Sequence, residues 1–199
     1  MEKIVVKEKP ENISWDEIHD LLWTAHAKNR EAGMYMKAPA MSSEEMKAHV
    51  GENGKCFVAM DGEKLVGTCS FKIVCKNKWY AKGCKVAYCM LEGVLPEYQG
   101  RGVYSQLITF REEHIRQCHA DLMEMNTAEH NLPVQKALLR KGWTYVDFIA
   151  YKTTHYSVVM VKWLNDCPFS KWKCWWMFTS NKWKEKIKYK PGRVKRFKK

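Results

Sequence analysis

The spacing of apolar and polar residues along the chain changes between a period of two, typical of strands, and a period near 3.6, typical of helices. Alternation or a short apolar run predicts strands at residues 4–7, 55–60, 65–74, 85–95, 122–125, 145–151 and 156–163. The helical period predicts helices at residues 14–28, 42–49, 103–118 and 132–140. The second to fourth strands are expected to be antiparallel neighbours. The strand after the third helix is expected to run parallel to the strand before it.

Several element boundaries have local signals of their own. Ser14 begins a Ser-x-x-Glu capping box, which marks a helix N-terminus. Asp61-Gly62, between two strand-like runs, predicts a hairpin turn, and a further turn is predicted near Thr153. Residues 34–41 are rich in methionine and contain a proline, so they predict a loop.

The stretch LEGVLPEYQGRGVYSQL, residues 91–107, joins an apolar strand to a helix through a glycine-rich turn. Pro96 ends the strand because proline cannot donate to a sheet ladder, and Gly100 and Gly102 allow a tight turn with positive φ. The helix that begins at Val103 points its free N–H groups and the positive end of its dipole at this turn. Such an arrangement is suited to a phosphate or pyrophosphate.

This turn lacks the Gly-Lys-Ser/Thr of a Walker loop and the Gly-x-Gly-x-x-Gly of a dinucleotide site. It resembles motif A of the GNAT acetyltransferase superfamily, in which Val-x-Pro ends a strand and Gln/Arg-x-x-Gly-x-Gly/Ala follows. The positions that carry the resemblance are Val94, Leu95, Pro96, Gln99 and Gly102, with Tyr104 in place of a small residue. In the family this loop binds the pyrophosphate of acetyl-CoA through backbone amides, and the preceding strand splays to admit the pantetheine arm.

A second stretch keeps the register of a later GNAT motif. Asn131, Val134 and Gly142-Trp143 correspond to the family's Asn-x-x-Ala and Gly-Phe. The resemblance covers about residues 55–160 and implies the α+β GNAT fold, a mixed and mostly antiparallel sheet flanked by helices. It also implies acetyl-CoA as co-substrate without a metal. The cofactor-binding residues it implies are Val94, Leu95, Gln99, Gly100, Arg101, Gly102, Val103, Tyr104 and Asn131.

Acetyl transfer to an amine requires a base, a group that stabilises the thioester oxygen, and an acid for the leaving thiolate. Glu92, on an otherwise apolar strand and on the same face as Val94, is the predicted base, directly or through water. The alternative is a structural carboxylate paired with a lysine or bound to the loop amides. Backbone N–H groups at Val94 and Leu95 are expected to hold the thioester oxygen.

The predicted acid is less well defined because Leu138 occupies the position where the family often has a tyrosine. Tyr104, Tyr145 or water can serve, or catalysis is weak or lost. By analogy with the family, Tyr35 and Met36 are expected to contact the acceptor. Glu92 and His130 are further candidates for binding the acceptor, and His130 and Glu129 are secondary candidates at the mouth of the site.

The resulting prediction is an N-acetyltransferase that moves the acetyl group of acetyl-CoA directly to a primary amine of a small molecule or amino sugar. The alternative is a non-catalytic CoA-binding module, or a module on a GNAT fold that binds an anionic surface. The sequence leaves a homodimer open.

The C-terminal segment differs in composition from the rest of the chain. Residues 162–199 carry eleven lysines and two arginines against two acidic residues, and so hold nearly all of the net charge of +12. They also hold five of the nine tryptophans. The predicted division is an acetyltransferase domain at residues 1–163 and a basic, Trp-rich extension at residues 164–199. This extension is expected either to pack on the domain or to contact an anionic membrane or glycan, with nucleic acid a weaker alternative.

The remaining sequence features concern the location of the protein in the cell. No apolar run is long enough to span a membrane, and the charged N-terminus does not resemble a signal peptide. Eight cysteines without zinc spacing predict reduced thiols and no metal site. We therefore expect a cytoplasmic protein, with peripheral attachment at the inner face of the membrane as the option that the basic extension allows.

Overall fold

The structure is a computed structural model that describes residues 4–33, 37–150 and 156–188. The strands are β1 Val5–Glu8, β2 Gly54–Asp61, β3 Lys64–Cys75, β4 Lys85–Val94, β5 Leu122–Ala128, β6 Thr144–Ala150 and β7 Tyr156–Trp163. The helices are α1 Trp15–Ala25, α2 Ala27–Glu31, α3 Lys37–Ala40, α4 Ser43–Val50, α5 Val103–Gln117, α6 Leu132–Arg140 and α7 Lys171–Lys188. A short 3₁₀ turn, Pro96–Tyr98, lies between β4 and α5.

The strands form one mixed sheet in the order β1-β2-β3-β4-β5-β7-β6. Within the described residues, β4 and β5 are the parallel pair and the other neighbours are antiparallel. The expected fold class is confirmed, as is the expected direction of the strands on either side of α5. The extension contributes a helix, α7, that the periodicity did not predict.

Both faces of the sheet are covered by helices. On one face α5 buries Leu107, Ile108 and Ile115 against the strands, and on the other α1 and α4 bury Leu22 and Met46. The α1 helix begins as expected, because Ser14 and Glu17 form the reciprocal hydrogen bonds of a capping box. The sheet is therefore covered on both faces, while the glycine turn at residues 99–102 is exposed.

Two local expectations are corrected. The first helix does not continue to residue 28, because it breaks at His26 and restarts as α2. Part of the expected loop at residues 34–41 is the short helix α3, in which Pro39 is buried. Proline fits there because an N–H in the first turn of a helix has no intrahelical acceptor to lose. Residues 34–36 and the turn near Thr153 lie outside the described residues.

Candidate functional site

The parallel strands β4 and β5 are paired over only part of their length. Their pairing runs from Val86 opposite Leu122 to Cys89 opposite Met125, although β4 continues to Val94. Beyond Cys89, β4 stays paired with β3 on its other side, so among the described residues a gap opens between β4 and β5. This is the splayed strand pair that the resemblance implies.

A cleft of about 670 Å³ occupies this gap. Its volume lies within the range of roughly 300–1,000 Å³ typical of small-molecule sites. The wall is formed by the ends of α1 and β4, the glycine turn, β5 and the start of α6. Seven of the predicted site residues line it, namely Glu92, Val94, Gln99, Gly100, Gly102, Tyr104 and Asn131.

A bulge in β4 decides which way Glu92 points. The pairing with β3 steps from Met90 opposite Ser70 to Gly93 opposite Thr68, and Leu91 has the left-handed φ of 51°. Met90 and Leu91 consequently both pack on the α1 face. The bulge thereby turns Glu92 onto the α5 face, the same face as Val94.

Glu92 is held by two side chains of α5. Its Oε1 accepts a hydrogen bond from the guanidinium of Arg111, and its Oε2 accepts one from the Tyr104 hydroxyl at 2.7 Å. The Arg111 side chain is fully buried, whereas 12% of the Glu92 side chain is exposed. A carboxylate has about four lone-pair positions, so Glu92 keeps acceptor capacity toward the cleft despite both contacts.

Tyr104 is held in its protonated form. Burial and the negative charge of Glu92 raise the pKa of its hydroxyl well above the usual value. The hydroxyl therefore keeps its proton at neutral pH and acts as a hydrogen-bond donor. The chain brings Tyr104 to Glu92 through the first turn of α5, twelve residues beyond the carboxylate.

The glycine turn presents an uncapped helix N-terminus to the cleft. Gly102 is the N-cap of α5 with φ 82°, and no side chain caps the helix there. A Cβ added at Gly100 or Gly102 would meet nothing within 4 Å, so space is open where the backbone faces the cleft. The first N–H groups of α5 have no intrahelical acceptor, which leaves them to a ligand.

Of the two backbone N–H groups expected to hold the thioester oxygen, one already has a partner within the sheet. The N–H of Leu95 donates to the Val66 carbonyl at 3.0 Å, which corrects the expectation that it holds the thioester oxygen. Val94 pairs with Gly67, and because hydrogen-bonded edges alternate along an antiparallel pair, its N–H and C=O face the gap. The Val94 carbonyl accepts a bond from Gln99 Nε2 at 2.9 Å.

Four other predicted site residues are described by the structure but do not line the cleft. Leu95, Arg101 and Val103 belong to the same loop and helix start but do not line the cleft, and Val103 is buried in the core on the α5 side. His130 is exposed beside Asn131 and also lies off the cleft wall. Tyr35 and Met36 lie outside the described residues.

The later motif does not bring a tyrosine to the cleft. Leu138 is fully buried in the core on the α5 side. Tyr145 donates its hydroxyl to Gln135 Oε1 at 3.0 Å and does not line the cleft. Of the two candidate acids, Tyr104 is the one beside Glu92.

His26, which was not predicted as a site residue, lines the cleft at the break between α1 and α2. Its Nε2 lies 2.9 Å from the Glu92 carbonyl, and its Nδ1 lies 3.4 Å from the Asn29 side-chain amide. A carbonyl only accepts, so Nε2 carries the proton and Nδ1 is the acceptor. Burial lowers the pKa of His26, which keeps the ring neutral. A lone histidine at a helix end has no spacing that would have identified it.

One end of the cleft is positively charged. Lys37 Nζ and Lys72 Nζ each lie 3.5 Å from a different ring nitrogen of His49. Burial, followed by the charges of these two lysines, lowers the pKa of His49 to about 4. Among the described residues, neither lysine has a carboxylate within 4 Å. Lys37 and His49 line the cleft, where an anionic group would relieve this repulsion.

Neither a metal centre nor a membrane span is found in the part of the chain that is described. No group of three or more His, Cys, Asp or Glu side chains there could hold a metal ion. No described helix combines the length and apolar character needed to cross a bilayer.

Three solved structures illustrate the similarity of the fold. The ribosomal-protein-S18-alanine N-acetyltransferase from Escherichia coli has a TM-score of 0.64 at 11% identity, covering 82% of this chain and 96% of that one. The Bacillus subtilis acetyltransferase in complex with CoA has a TM-score of 0.59 at 17% identity, covering 82% and 100%. Arabidopsis thaliana NAA60 in complex with a bisubstrate analogue has a TM-score of 0.61 at 18% identity, covering 82% and 99%.

Identities this low show a shared fold. A comparison with curated protein sequences gives no match. The model of the acetyltransferase (GNAT) family matches residues 15–143, from the start of α1 to the residue before β6. This range includes the glycine turn, the diverging strands and most of the cleft wall. Because it spans well over half of the sequence, the chain belongs to the GNAT family of acetyltransferases.

Proposed function

We propose that this protein is an N-acetyltransferase that moves the acetyl group of acetyl-CoA directly to a primary amine of a small molecule or amino sugar. The observation that carries this proposal is the uncapped N-terminus of α5, which opens into the same cleft as the gap between β4 and β5. A fold shared with a CoA-bound Bacillus subtilis acetyltransferase supports it.

The described residues fit acetyl-CoA. Backbone N–H groups from Gly100 to Tyr104, with the positive end of the α5 dipole, are suited to a pyrophosphate. The gap beyond Cys89 offers an unpaired β4 edge for the pantetheine amides, and the Val94 N–H is the donor for the thioester oxygen. Bound acetyl-CoA supplies the activated acyl carbon, and the protein supplies orientation and proton transfer.

Glu92 and Tyr104 form a proton relay in this proposal. Glu92 accepts the proton of the attacking amine through its free acceptor capacity, directly or through water. Tyr104 donates its proton to the leaving sulfur. The 2.7 Å hydrogen bond between them then returns the proton from Glu92 to the tyrosine oxygen. The net result is the movement of one proton from amine to thiol, which leaves both side chains unchanged.

A covalent acyl-enzyme is disfavoured by the state of the thiol in the cleft. Cys89 lines the cleft, but burial raises its pKa to about 12. A thiol with that pKa is protonated at neutral pH and is a poor nucleophile. Transfer from acetyl-CoA to the amine is therefore proposed to be direct.

The charge of the cleft restricts the acceptor. Lys37 lines one end of the cleft, and Lys72 lies on the other side of the neutral His49 ring. The two lysines make this end cationic, and among the described residues neither has a carboxylate within 4 Å. An amine that also carries a carboxylate or phosphate would place its anion there while its amino group approaches Glu92. We therefore propose acceptors of this zwitterionic kind, including phosphorylated amino sugars.

The second candidate function is a non-catalytic CoA-binding module. The observation that favours it is the engagement of both Glu92 oxygens by Arg111 and Tyr104. The two functions make different predictions for turnover, because a module binds acetyl-CoA without consuming it in the presence of any amine.

The test is a panel of anionic and neutral primary amines, with acetyl-CoA consumption followed by chromatography. A thiol dye is unsuitable because the protein has eight cysteines of its own. Turnover with an anionic amine that is lost in Tyr104→Phe supports the enzyme. Tight acetyl-CoA binding without turnover on any amine in the panel contradicts it and favours the module.

A further inference from the structure

The C-terminal helix α7 has one face fixed against the sheet. The ring of Phe178 stacks on Tyr145 at a centroid distance of 4.9 Å, and Cys174 is buried. Asn181 Nδ2 donates to Asp147 Oδ1 at 2.8 Å. These contacts fix the roll of α7 and therefore determine which side chains point outward.

The outward face carries large apolar side chains. Trp172, Trp176, Trp183 and Ile187 are separated by four, seven and four residues, which places them on one stripe of a helix. They are 67%, 54%, 67% and 68% exposed, respectively. The rings of Trp172 and Trp176 stack on each other at 5.8 Å. We call this set the tryptophan stripe, and it lies opposite the face held by Cys174 and Phe178.

Lysines border the tryptophan stripe. On a helical wheel Lys173 and Lys184 lie on one side of it and Lys186 on the other. Lys173 and Lys184 are exposed and have no carboxylate within 4 Å among the described residues. Lys186 is tied to Glu129 at 3.0 Å. The outer surface of α7 thus combines exposed indole rings with uncompensated positive charge.

We propose that the tryptophan stripe docks α7 flat on the surface of an anionic lipid bilayer. Tryptophan favours the boundary between headgroups and acyl chains, and bordering lysines are attracted to anionic lipids. A helix with an apolar stripe and a basic border lies in the interface rather than across it, and no described helix could span the bilayer. Contacts with the sheet already orient the tryptophan stripe outward in the unbound protein, so docking on a membrane requires no refolding of α7.

The structure favours a bilayer over two other occupants. Single-stranded nucleic acid stacks on free indole faces, but one face of Trp172 and one face of Trp176 are already stacked on each other. A second copy of the chain would bring two lysine-bordered stripes together, and their like charges would repel. Residues 162–199 hold nearly all of the net charge of +12, which increases that repulsion.

The test is co-sedimentation of the full chain with lipid vesicles at about 0.15 M salt. Vesicles of phosphatidylcholine with about 30% phosphatidylserine are compared with pure phosphatidylcholine. Sedimentation is preferable to intrinsic fluorescence because nine tryptophans would contribute to the signal. We expect binding to the anionic vesicles, and a loss of at least about tenfold in the triple variant Trp172→Ser, Trp176→Ser, Trp183→Ser.

Two variants separate the apolar and electrostatic contributions. Lys173→Gln with Lys184→Gln is expected to weaken vesicle binding by about fivefold per lysine. Trp23→Ser is the matched control, because this indole is 49% exposed but lies on α1, and it should bind as wild type does. Far-ultraviolet circular dichroism checks that every variant is folded.

Three results would overturn the proposal. One is equal vesicle binding by wild type and the triple tryptophan variant. Another is binding of single-stranded DNA, but not of vesicles, that the triple variant loses. The third is a dimer in analytical ultracentrifugation that disappears in the triple variant, which would make the tryptophan stripe an interface between copies.

Discussion

Replacing Arg111 by methionine tests the cluster that positions Glu92. The guanidinium is fully buried and its charge is balanced by Glu92, whose side chain is 12% exposed. Breaking a buried ion pair on one side costs about 3–5 kcal/mol. Arg111 Nε and Nη2 have no hydrogen-bond partner among the described residues, so its removal also relieves a desolvation cost. We therefore expect a loss of about 3 kcal/mol.

A loss of that size lowers the melting temperature by about 6–12 °C for a chain of this length. Glu92→Gln alone should cost a similar amount, because it leaves the Arg111 cation buried without a counter-charge. The double variant should lie within about 1 kcal/mol of wild type, since neither charge then remains unpaired. Urea unfolding of all four proteins at pH 7, without ligand, measures the cycle.

If the two single losses add in the double variant, with a coupling energy below about 0.5 kcal/mol, Arg111 and Glu92 do not stabilise each other as an ion pair. The stability of Glu92→Gln also determines whether its activity can report on the role of Glu92 as a base. If Glu92→Gln destabilises the fold by several kcal/mol, its loss of activity cannot be assigned to a missing base. Tyr104→Phe, which leaves the ion pair intact, is then the cleaner probe.

Three further predictions concern the cleft. Tyr104→Phe should lower kcat by about a hundredfold or more with little change in the KM for acetyl-CoA, and an unchanged kcat in steady-state assays would exclude it as the acid. The folded-state pKa of His49 is about 4, below its usual value of 6.5, so its contribution to stability is present above pH 6.5 and lost as the pH falls toward 4. Urea unfolding of His49→Gln should therefore show a flatter fall in free energy between pH 7 and pH 4 than wild type, and parallel curves would contradict this. Lys37→Gln with Lys72→Gln should raise KM by about tenfold for an anionic amine and leave it unchanged for a neutral amine, and equal effects on both would remove the proposed charge selection.

The sheet and the glycine turn could be predicted because their signals are local. The hairpin at Asp61-Gly62 and the capping box at Ser14 are each encoded by residues that are close together in the sequence, and the structure contains both. The turn from Pro96 to Gly102 combines a strand end, two glycines and a helix start within a few residues. Such features need no knowledge of the tertiary structure.

The surroundings of Glu92 could not be predicted in the same way. A left-handed Leu91 has no sequence signature, because leucine adopts that conformation only under tertiary constraint. The sequence did, however, contain one signal for Arg111, the residue that forms the ion pair with Glu92. Val103, Leu107, Arg111 and Ile115 recur every four residues along α5, which places an arginine at a core-facing position. A buried arginine requires a nearby carboxylate.

The sequence pattern did not predict the helix in the extension, because apolar residues lie on two opposite faces of this helix. Phe178 and Cys174 face the sheet while the tryptophan stripe faces outward. Two opposite apolar faces give no single periodic stripe, which is the signal used to recognise an amphipathic helix. The lysines on both borders made the segment resemble a charged tail.

Calorimetric titration with acetyl-CoA tests the proposed site most directly, using a pair of matched glycine variants. Gly102 and Gly83 have φ of 82° and 76°, and a Cβ added at either meets nothing within 4 Å. Gly102→Glu and Gly83→Glu thus impose the same backbone strain and the same charge, but only Gly102 lines the cleft. Wild type and Gly83→Glu should bind acetyl-CoA and Gly102→Glu should not. No heat from wild type at about 1 mM acetyl-CoA, or equal binding by both variants, would contradict a cofactor site at the N-terminus of α5.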